Sequence, residues 1–207
     1  SIAIKSDGTV WTWGSGSLGN GALWSTATVP MQVSGLSGVS SVSCNAFYSL
    51  ALRSDGTVWA WGSNDFGPLG DGTKTSRLTP VQVRGVDGIG YLEGTIAIAT
   101  DFGILGHSLA LKSDGTVWAW GPNSGGQLGN GVAAQLQSTP GQVMGPVGTD
   151  FLGGIVAIAA GNGLSLALKS DSTVWAWGTG YAIGNGSFGN LIVRPVQVRG
   201  GGGVGFL

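Results

Sequence analysis

The sequence predicts an all-β fold of β-propeller-type blades: four repeat units, each of four antiparallel strands, with the first blade lacking its inner strand. Three observations predict it. Val-Trp-x-Trp-Gly occurs four times, with the first Trp at Trp11, Trp59, Trp118 and Trp175. Three further markers keep phase with it. Ser-Ile-Ala-Ile or Ser-Leu-Ala-Leu precedes it from Ser1, Ser49, Ser108 and Ser165, Leu/Ile-Gly-Asn/Asp-Gly follows from Leu18, Leu69, Leu128 and Ile183, and Pro-x-Gln-Val comes last from Pro30, Pro80, Pro140 and Pro195. Finally, 41 of the 207 residues are Gly, while 42% are hydrophobic and only 9% charged. Such Gly density without a Gly-X-Y period excludes collagen, the apolar content argues against a disordered linker, and a helix would lose about 1 kcal/mol for each interior Gly.

Within a unit the elements follow in order. An inner strand is expected before each hairpin, at Val39 to Ser43, Ile96 to Ala99 and Ile155 to Ala159. Asp-Gly between alternating runs then marks a hairpin, read here as a two-residue type I′ turn. Folding about Asp55-Gly56 pairs Leu52 with Trp59 and Leu50 with Trp61. Leu50, Leu52, Trp59 and Trp61 then share one face, and Ala51, Val58 and Ala60 the other. In the fourth unit Ser172 replaces the turn Gly, so a strained or different turn is expected there. The outer strand falls at Pro-x-Gln-Val, with Pro at its start as suits an edge. The chain is expected to form one repeat domain over 1–207, in units of about 1–38, 39–88, 89–148 and 149–207.

The ends of the repeat pattern carry an expectation of their own. Ser1, Ile2, Ala3 and Ile4 are the second strand of a blade whose inner strand is not in the sequence. Gly203-Val204-Gly205-Phe206-Leu207 matches Gly88-Ile89-Gly90-Tyr91-Leu92, after which an inner strand follows internally. The edges at Ser1 to Ile4 and at Val204, Phe206 and Leu207 are therefore read as assembly edges, completed by a longer chain or by another copy through β-strand addition. Copy-to-copy addition would be heterologous and would give a ring or a filament. Without an initiator Met, the chain reads as a processed product or a segment of something longer.

Chemistry has little material. The chain holds one Glu (Glu93), one His (His107) and one Cys (Cys44). A Ser-His-Asp arrangement can be drawn with His107, but its place at a repeat position shared with Tyr48 and Leu164 favours a structural role. Zinc needs three or four His/Cys ligands, and Asp7, Asp55, Asp114 and Asp171 are spent in hairpin turns. No enzyme activity and no cofactor are expected. A net charge of −1 argues against nucleic acid, and Lys5, Arg53, Lys112 and Lys169 read as a thin solvated ring. No apolar run approaches the roughly 20 residues of a membrane helix, and no signal peptide is present, so membrane insertion is not expected. Trp24, Phe66, Tyr181 and Phe188 are loop aromatics without counterparts in other units and are the candidate partner-binding residues. Asn185-Gly186-Ser187 is a glycosylation pattern at Asn185.

These motifs resemble the regulator of chromosome condensation repeat family. The resemblance is carried by Gly106-His107-Ser108-Leu109-Ala110-Leu111, Asp114-Gly115, Trp120-Gly121 and Gly126-Gln127-Leu128-Gly129-Asn130-Gly131, and it extends over essentially the whole chain. The near-identical Ser-Asp-Gly-Thr-Val-Trp-Ala-Trp-Gly units look most like the family's bacterial tandem arrays. The resemblance implies a propeller, usually of seven blades, and a range of roles that includes a GTPase exchange factor, a plant photoreceptor and a β-lactamase inhibitor. The function expected first is a non-catalytic structural or interaction repeat protein, extracellular or at a cell surface, whose partner is protein. Gripping a protein partner through the loop aromatics is the alternative, and nucleotide exchange the third.

Overall fold

The Asp, Thr and Trp side chains of each Asp-x-Thr-Val-Trp turn bond to one another in the same way in all four blades. In the computed structural model, which describes residues 1–22, 24–103, 106–133, 136–179, 183–186, 189, 191–200 and 205, Asp55 Oδ1 accepts the Thr57 backbone N–H at 3.0 Å and its hydroxyl at 2.6 Å. The Thr57 hydroxyl oxygen in turn accepts the Trp59 indole N–H at 3.3 Å. The same three bonds recur at Asp7, Thr9 and Trp11, at Asp114, Thr116 and Trp118, and at Asp171, Thr173 and Trp175.

Four antiparallel sheets result. Blade 1 has three strands, β1 (Ile2–Ile4), β2 (Val10–Gly16) and β3 (Ser25–Gln32). Blade 2 has β4 (Val39–Cys44), β5 (Tyr48–Arg53), β6 (Val58–Gly62) and β7 (Arg77–Gln82). Blade 3 has β8 (Thr95–Thr100), β9 (Ser108–Lys112), β10 (Val117–Gly121) and β11 (Gln137–Gln142). Blade 4 has β12 (Ile155–Gly161), β13 (Leu164–Lys169), β14 (Val174–Gly178) and β15 (Ile192–Gln197). Strands β4, β8 and β12 are the inner ones and pack in succession, with β1 against β4. The sheet of blade 1 begins at what is the second strand elsewhere, as the repeat phase requires.

The hairpin register differs from the sequence expectation by one residue. Arg53 N–H donates to Thr57 O and Gly56 N–H to Arg53 O, both at 2.9 Å, and Gly56 takes φ +81°. This is a three-residue loop, a type I turn closed by a glycine bulge, rather than a two-residue type I′ turn. Leu52 therefore faces Val58, Ala51 faces Trp59 and Leu50 faces Ala60. A one-residue shift moves every side chain to the other face. Leu50, Leu52, Val58 and Ala60 form one face, and Ala51, Trp59 and Trp61 the other.

That division explains how blades stack. Ala51 and Trp61 of blade 2 pack on Val10 and Val33 of blade 1. Ala110 and Trp120 of blade 3 pack on Leu50, Leu52, Val58 and Leu69 of blade 2. Ala167 and Trp177 of blade 4 pack on Leu109, Leu111, Val117 and Leu128 of blade 3. Trp61, Trp120 and Trp177 are fully buried. Each removes on the order of 200 Å² from water, about 5 kcal/mol before entropy is set against it. The first Trp of each pair is only half-buried, held at the rim by its threonine, so the tryptophans are not uniformly core. The prolines also depart from expectation. Pro80 lies within β7, in the stretch where the register between β6 and β7 slips, a bulge that needs no amide donor.

Ser172 does not change the turn. It keeps φ +69° and donates its N–H to Lys169 O at 3.0 Å, as Gly56 does to Arg53. Left-handed backbone costs a residue bearing Cβ about 1 kcal/mol. Ser172→Gly is therefore expected to stabilise the fold by about that amount, read as a higher urea midpoint at unchanged slope; an unchanged or lower midpoint would contradict this account of the turn.

Candidate functional site

Polar groups buried between blades form the first site to test for chemistry. Ser165, at the start of β13 behind Leu164, places Oγ 2.6 Å from His107 Nε2. Asp101 Oδ2 lies 3.4 Å from His107 Nδ1. The three residues satisfy the formal outline of a Ser-His-Asp triad, yet the hydrogen-bond direction is wrong for one. The Ser165 hydroxyl donates its only proton to Gln127 O at 2.8 Å, so the histidine must donate from Nε2 and cannot act as base toward the serine. Ser165, His107 and Asp101 are all buried. The arrangement is a joint.

The same joint appears one blade earlier. The Ser108 hydroxyl donates to Pro68 O at 2.9 Å, and the Trp120 indole donates to that carbonyl at 2.8 Å. Trp177 likewise joins Ser165 on Gln127 O, at 2.9 Å. One blade thus offers the carbonyl ahead of its Leu-Gly turn, and the next answers with a serine and a tryptophan. Glycine after that Leu is obligatory, because a Cβ on Gly70 would stand 2.7 Å from Trp120 Nε1. Tyr48 occupies the position of His107 and donates to His107 O at 2.8 Å; burial pushes its phenol far above the usual range.

Nearer the axis a second polar chain ties three blades. Asn45, Asp101 and Asn162 follow the inner strands β4, β8 and β12. Asn45 Nδ2 donates to Asp101 O at 2.9 Å. The Asp101 carboxylate accepts the N–H groups of Gly103 at 2.9 Å, Gly163 at 2.8 Å, and Asn162. Burial raises the Asp101 carboxyl, but His107 and the backbone donors outweigh it and hold it below the ordinary range. Motif reading did not find these residues, because they differ in type and stand outside the conserved phase markers. Nor did it find Asn64 and Asn123, buried side chains that brace the loops after β6 and β10 by accepting Leu69 N–H and Leu128 N–H.

The open site lies on the face formed by these loops. A cleft of about 190 Å³ is lined by Trp24 from blade 1, by Phe47, Tyr48, Ser63, Asp65, Phe66 and Pro68 from blade 2, and by Gly106 from blade 3. Asn64 fixes the turn that presents Phe66, donating from Nδ2 to Asp71 Oδ1 at 3.1 Å and to Thr73 O at 3.0 Å. Asp71 is itself ion-paired with Arg77 at 2.6 Å. The Trp24 loop is tied to blade 2 by Gly21 N–H donating to Leu78 O at 3.0 Å. Trp24 meets Phe47 edge-on at 5.9 Å and is 62% exposed, and Phe66 is 44% exposed.

The structure thus brings two candidate partner residues, Trp24 and Phe66, to one cleft. Tyr181 and Phe188 lie outside the described residues, as do Val204, Phe206 and Leu207. Ser1, Ile2, Ala3 and Ile4 are described: Ser1 N donates to Trp13 O at 3.0 Å, and Ile2 to Ile4 pair with β2 along one edge. Asn185 is described, in an exposed-to-intermediate turn. Lys5, Arg53 and Lys169 each sit within 4.0 Å of the aspartate of their own turn, so three of the four basic residues of the ring are paired locally. Among the described residues, no cluster of three or more His, Cys, Asp or Glu could hold a metal.

Blades stacked through Trp faces, with chemistry confined to joints and an aromatic cleft on the loop face, define a propeller-type repeat scaffold. The chain belongs to the regulator of chromosome condensation (RCC1) repeat family, whose repeat matches residues 7–52, 55–93 and 114–168. It is 34% identical over 141 residues to the E3 ubiquitin-protein ligase HERC2 of Homo sapiens, covering 66% of this chain and 3% of that protein. It is 30% identical over 205 residues to the ultraviolet-B receptor UVR8 of Arabidopsis thaliana, covering 96% and 43%. The chain therefore spans less than half the length of these relatives. Among solved structures, human WBSCR16 superposes with a TM-score of 0.75 at 22% identity, over 95% of this chain and 48% of that one. Yeast RCC1 (Prp20), solved with Kap60 bound, gives 0.75 at 20%, over 97% and 46%. These structural likenesses establish the fold.

Two outcomes test the joint. Ser165→Ala leaves the His107 N–H buried without a partner and is expected to cost about 1–3 kcal/mol of stability, while a serine-directed fluorophosphonate probe is expected not to label Ser165 in the native protein. Labelling there would restore the catalytic reading. Because the folded Asp101 carboxyl is held low, its contribution is complete above about pH 4 and is lost as pH falls through its depressed folded value. Denaturation across pH 2–6 should show stability declining below about pH 4, with a shallower decline in Asp101→Asn; an identical slope in both proteins would remove Asp101 from this role.

Proposed function

We propose that the chain is a non-catalytic interaction module of a larger propeller or head-to-tail assembly, in which β-strand addition completes blade 1. The observation that carries this reading is the edge of β1. Strands β5, β9 and β13 each lie between two strands of their sheet, whereas β1 pairs with β2 alone among the described residues. An unpaired edge with the sequence Ile-Ala-Ile is a template for another strand. On this reading the partner is a protein segment, and no cofactor or nucleic acid is required. A cell-surface or extracellular setting and a filament or ring belong to the same proposal.

A synthetic peptide copying the inner strand Thr95–Thr100 is the direct test. It is expected to slow amide hydrogen exchange at Ile2 to Ile4 and to raise the melting temperature, and a version with proline at its centre is expected to do neither. If both peptides leave exchange unchanged, the strand-addition reading fails.

A second reading rests on the cleft. Trp24 and Phe66 expose rings around a concave apolar surface, the form that protein contact anchors take. Yeast Prp20p, similar in fold, has a structure described together with its binding to Gsp1p and histones; for this chain, capture of a protein at the cleft is the second role. Trp24→Ala should leave the melting temperature unchanged and weaken such capture by on the order of tenfold or more. Nucleotide exchange is the least supported reading; an unchanged rate of nucleotide release from a small GTPase would dispose of it.

A further inference from the structure

The cleft on the loop face gathers aromatic rings and one carboxylate that the repeat itself does not supply. In blade 3 the loop after β10 is braced by Asn123 as the loop after β6 is by Asn64. Yet it continues with Ser124-Gly125 where blade 2 has Asp65-Phe66. Phe47 likewise stands where blades 3 and 4 have Gly106 and Gly163. Trp24 comes from blade 1 and takes φ +55°, a left-handed backbone that is unusual for a bulky residue and of the kind that gathers at ligand clamps. Its ring meets that of Phe47 at 79°. The cleft therefore has two aromatic walls set nearly at right angles, with Tyr48 and Phe66 beside them.

Charge and hydrogen-bonding capacity narrow what the cleft can hold. Among the described residues lining it, Asp65 alone is charged, and it takes part in none of the ion pairs among the described residues. Aromatic faces are negative, so the rings and the carboxylate together favour a cation. The acceptors that a cation with several N–H groups would need are already used. The Tyr48 hydroxyl donates to His107 O, and the Pro68 carbonyl accepts the Ser108 hydroxyl and the Trp120 indole. A lysine ammonium brings three N–H donors and a guanidinium five, and in an apolar cleft each unpaired donor is costly. Two or three methyl groups on the ammonium reduce its donors to one or none.

We propose that this cleft is an aromatic cage for the dimethylated or trimethylated ammonium of a lysine side chain on a partner protein. The proposal rests on the reading of the cleft as a protein-capture face and names the chemistry captured there. The rings take the place of water around the methyl groups, Asp65 balances the charge, and in the dimethylated form Asp65 accepts the one remaining N–H. Trp24 and Phe66, 62% and 44% exposed, keep ring surface outside the cage for the peptide that flanks the lysine.

Titration of the chain with a capped Ala-Lys-Ala peptide carrying no, one, two or three methyl groups on the lysine tests it, read by calorimetry and by the Trp24 indole N–H resonance. The dimethylated and trimethylated peptides are expected to bind about tenfold or more tightly than the unmethylated one. A neutral isostere, with a tert-butyl group in place of the trimethylammonium, is expected to lose most of the binding, because the shape remains and the charge is gone. Trp24→Ala and Phe66→Ala are expected to abolish the preference for methylation at unchanged melting temperature. Phe66→Leu, which keeps bulk without a ring, serves if Phe66→Ala does not fold. Asp65→Asn is expected to weaken the dimethylated peptide more than the trimethylated one. Equal binding across the methylation series overturns the proposal, and so does an isostere that binds as well as the cation. Vesicles of phosphatidylcholine that bind where the peptides do not would assign the cage to a lipid headgroup and overturn the choice of a protein. If the series shows no preference while Trp24→Ala still weakens protein capture, the cage falls and the capture reading stands. If the methylated peptides bind while capture is indifferent to Trp24, the capture reading falls and the cage stands.

Discussion

One backbone carbonyl shared by two donors from the neighbouring blade is the contact on which the joints between blades 2 and 3 and between blades 3 and 4 depend. At Pro68 and at Gln127, a serine hydroxyl and a tryptophan indole converge within 2.9 Å on the same oxygen. Apolar packing between the blades is non-directional and would tolerate sliding. The double hydrogen bond does not, because it fixes the rotation and height of one sheet against the next. It also dictates sequence at a distance. Gly must follow the Leu, since the indole occupies the space of a Cβ, and Ser must open the second strand. The repeat markers Ser-Leu-Ala-Leu, Trp-x-Trp-Gly and Leu-Gly-x-Gly, separate in sequence, are parts of one joint.

This accounts for what was legible. Blade number, strand order and the missing inner strand follow from markers that recur because the joint and the turn demand them. The hairpin register was not legible, because Asp-Gly serves both two-residue and three-residue loops. What decides it is the Asp55 carboxylate capturing Thr57 twice, a contact visible only once the turn is built. The difference mattered, since it placed Trp59 and Trp61 on the face opposite to the one they occupy. Of the candidate site, Trp24 and Phe66 were legible as aromatics without repeat counterparts. Phe47 was not, and neither was the axial chain of Asn45, Asp101 and Asn162. Their roles arise from where the loops between inner and second strands converge, and residue type there varies from blade to blade.

The joint also explains the arrangement of Ser165, His107 and Asp101, which has the outline of a catalytic triad but the wrong hydrogen-bond direction for one. His107 stands where Tyr48 stands, and both reach the serine of the following blade. A phenol and an imidazole are interchangeable for bridging a hydroxyl, but not for proton abstraction. The common requirement is a polar tip of the right length, so the site has the chemistry of a spacer. Asp101 beside His107 also accepts the backbone amides of Gly103, Asn162 and Gly163, so it ties loops together as well as facing the imidazole.

The joints are not equal along the chain, and the inequality bears on function. Between blades 1 and 2, the Trp61 indole and the Ser17 hydroxyl are buried without partners among the described residues, so the paired hydrogen bonds seen at Pro68 O and Gln127 O are not made. The Thr12 hydroxyl donates instead to Leu18 O within blade 1, at 2.7 Å. Stability in stacked repeats is approximately the sum of unit and nearest-neighbour terms. Blade 1 has three strands and lacks the polar joint, so it is held mainly by Trp61 packed on Val10 and Val33. Yet blade 1 carries Trp24, which forms the aromatic cleft together with the firmly braced Phe66 loop of blade 2. The cleft is therefore built across the joint between blades 1 and 2, where the Trp61 indole has no hydrogen-bond partner among the described residues.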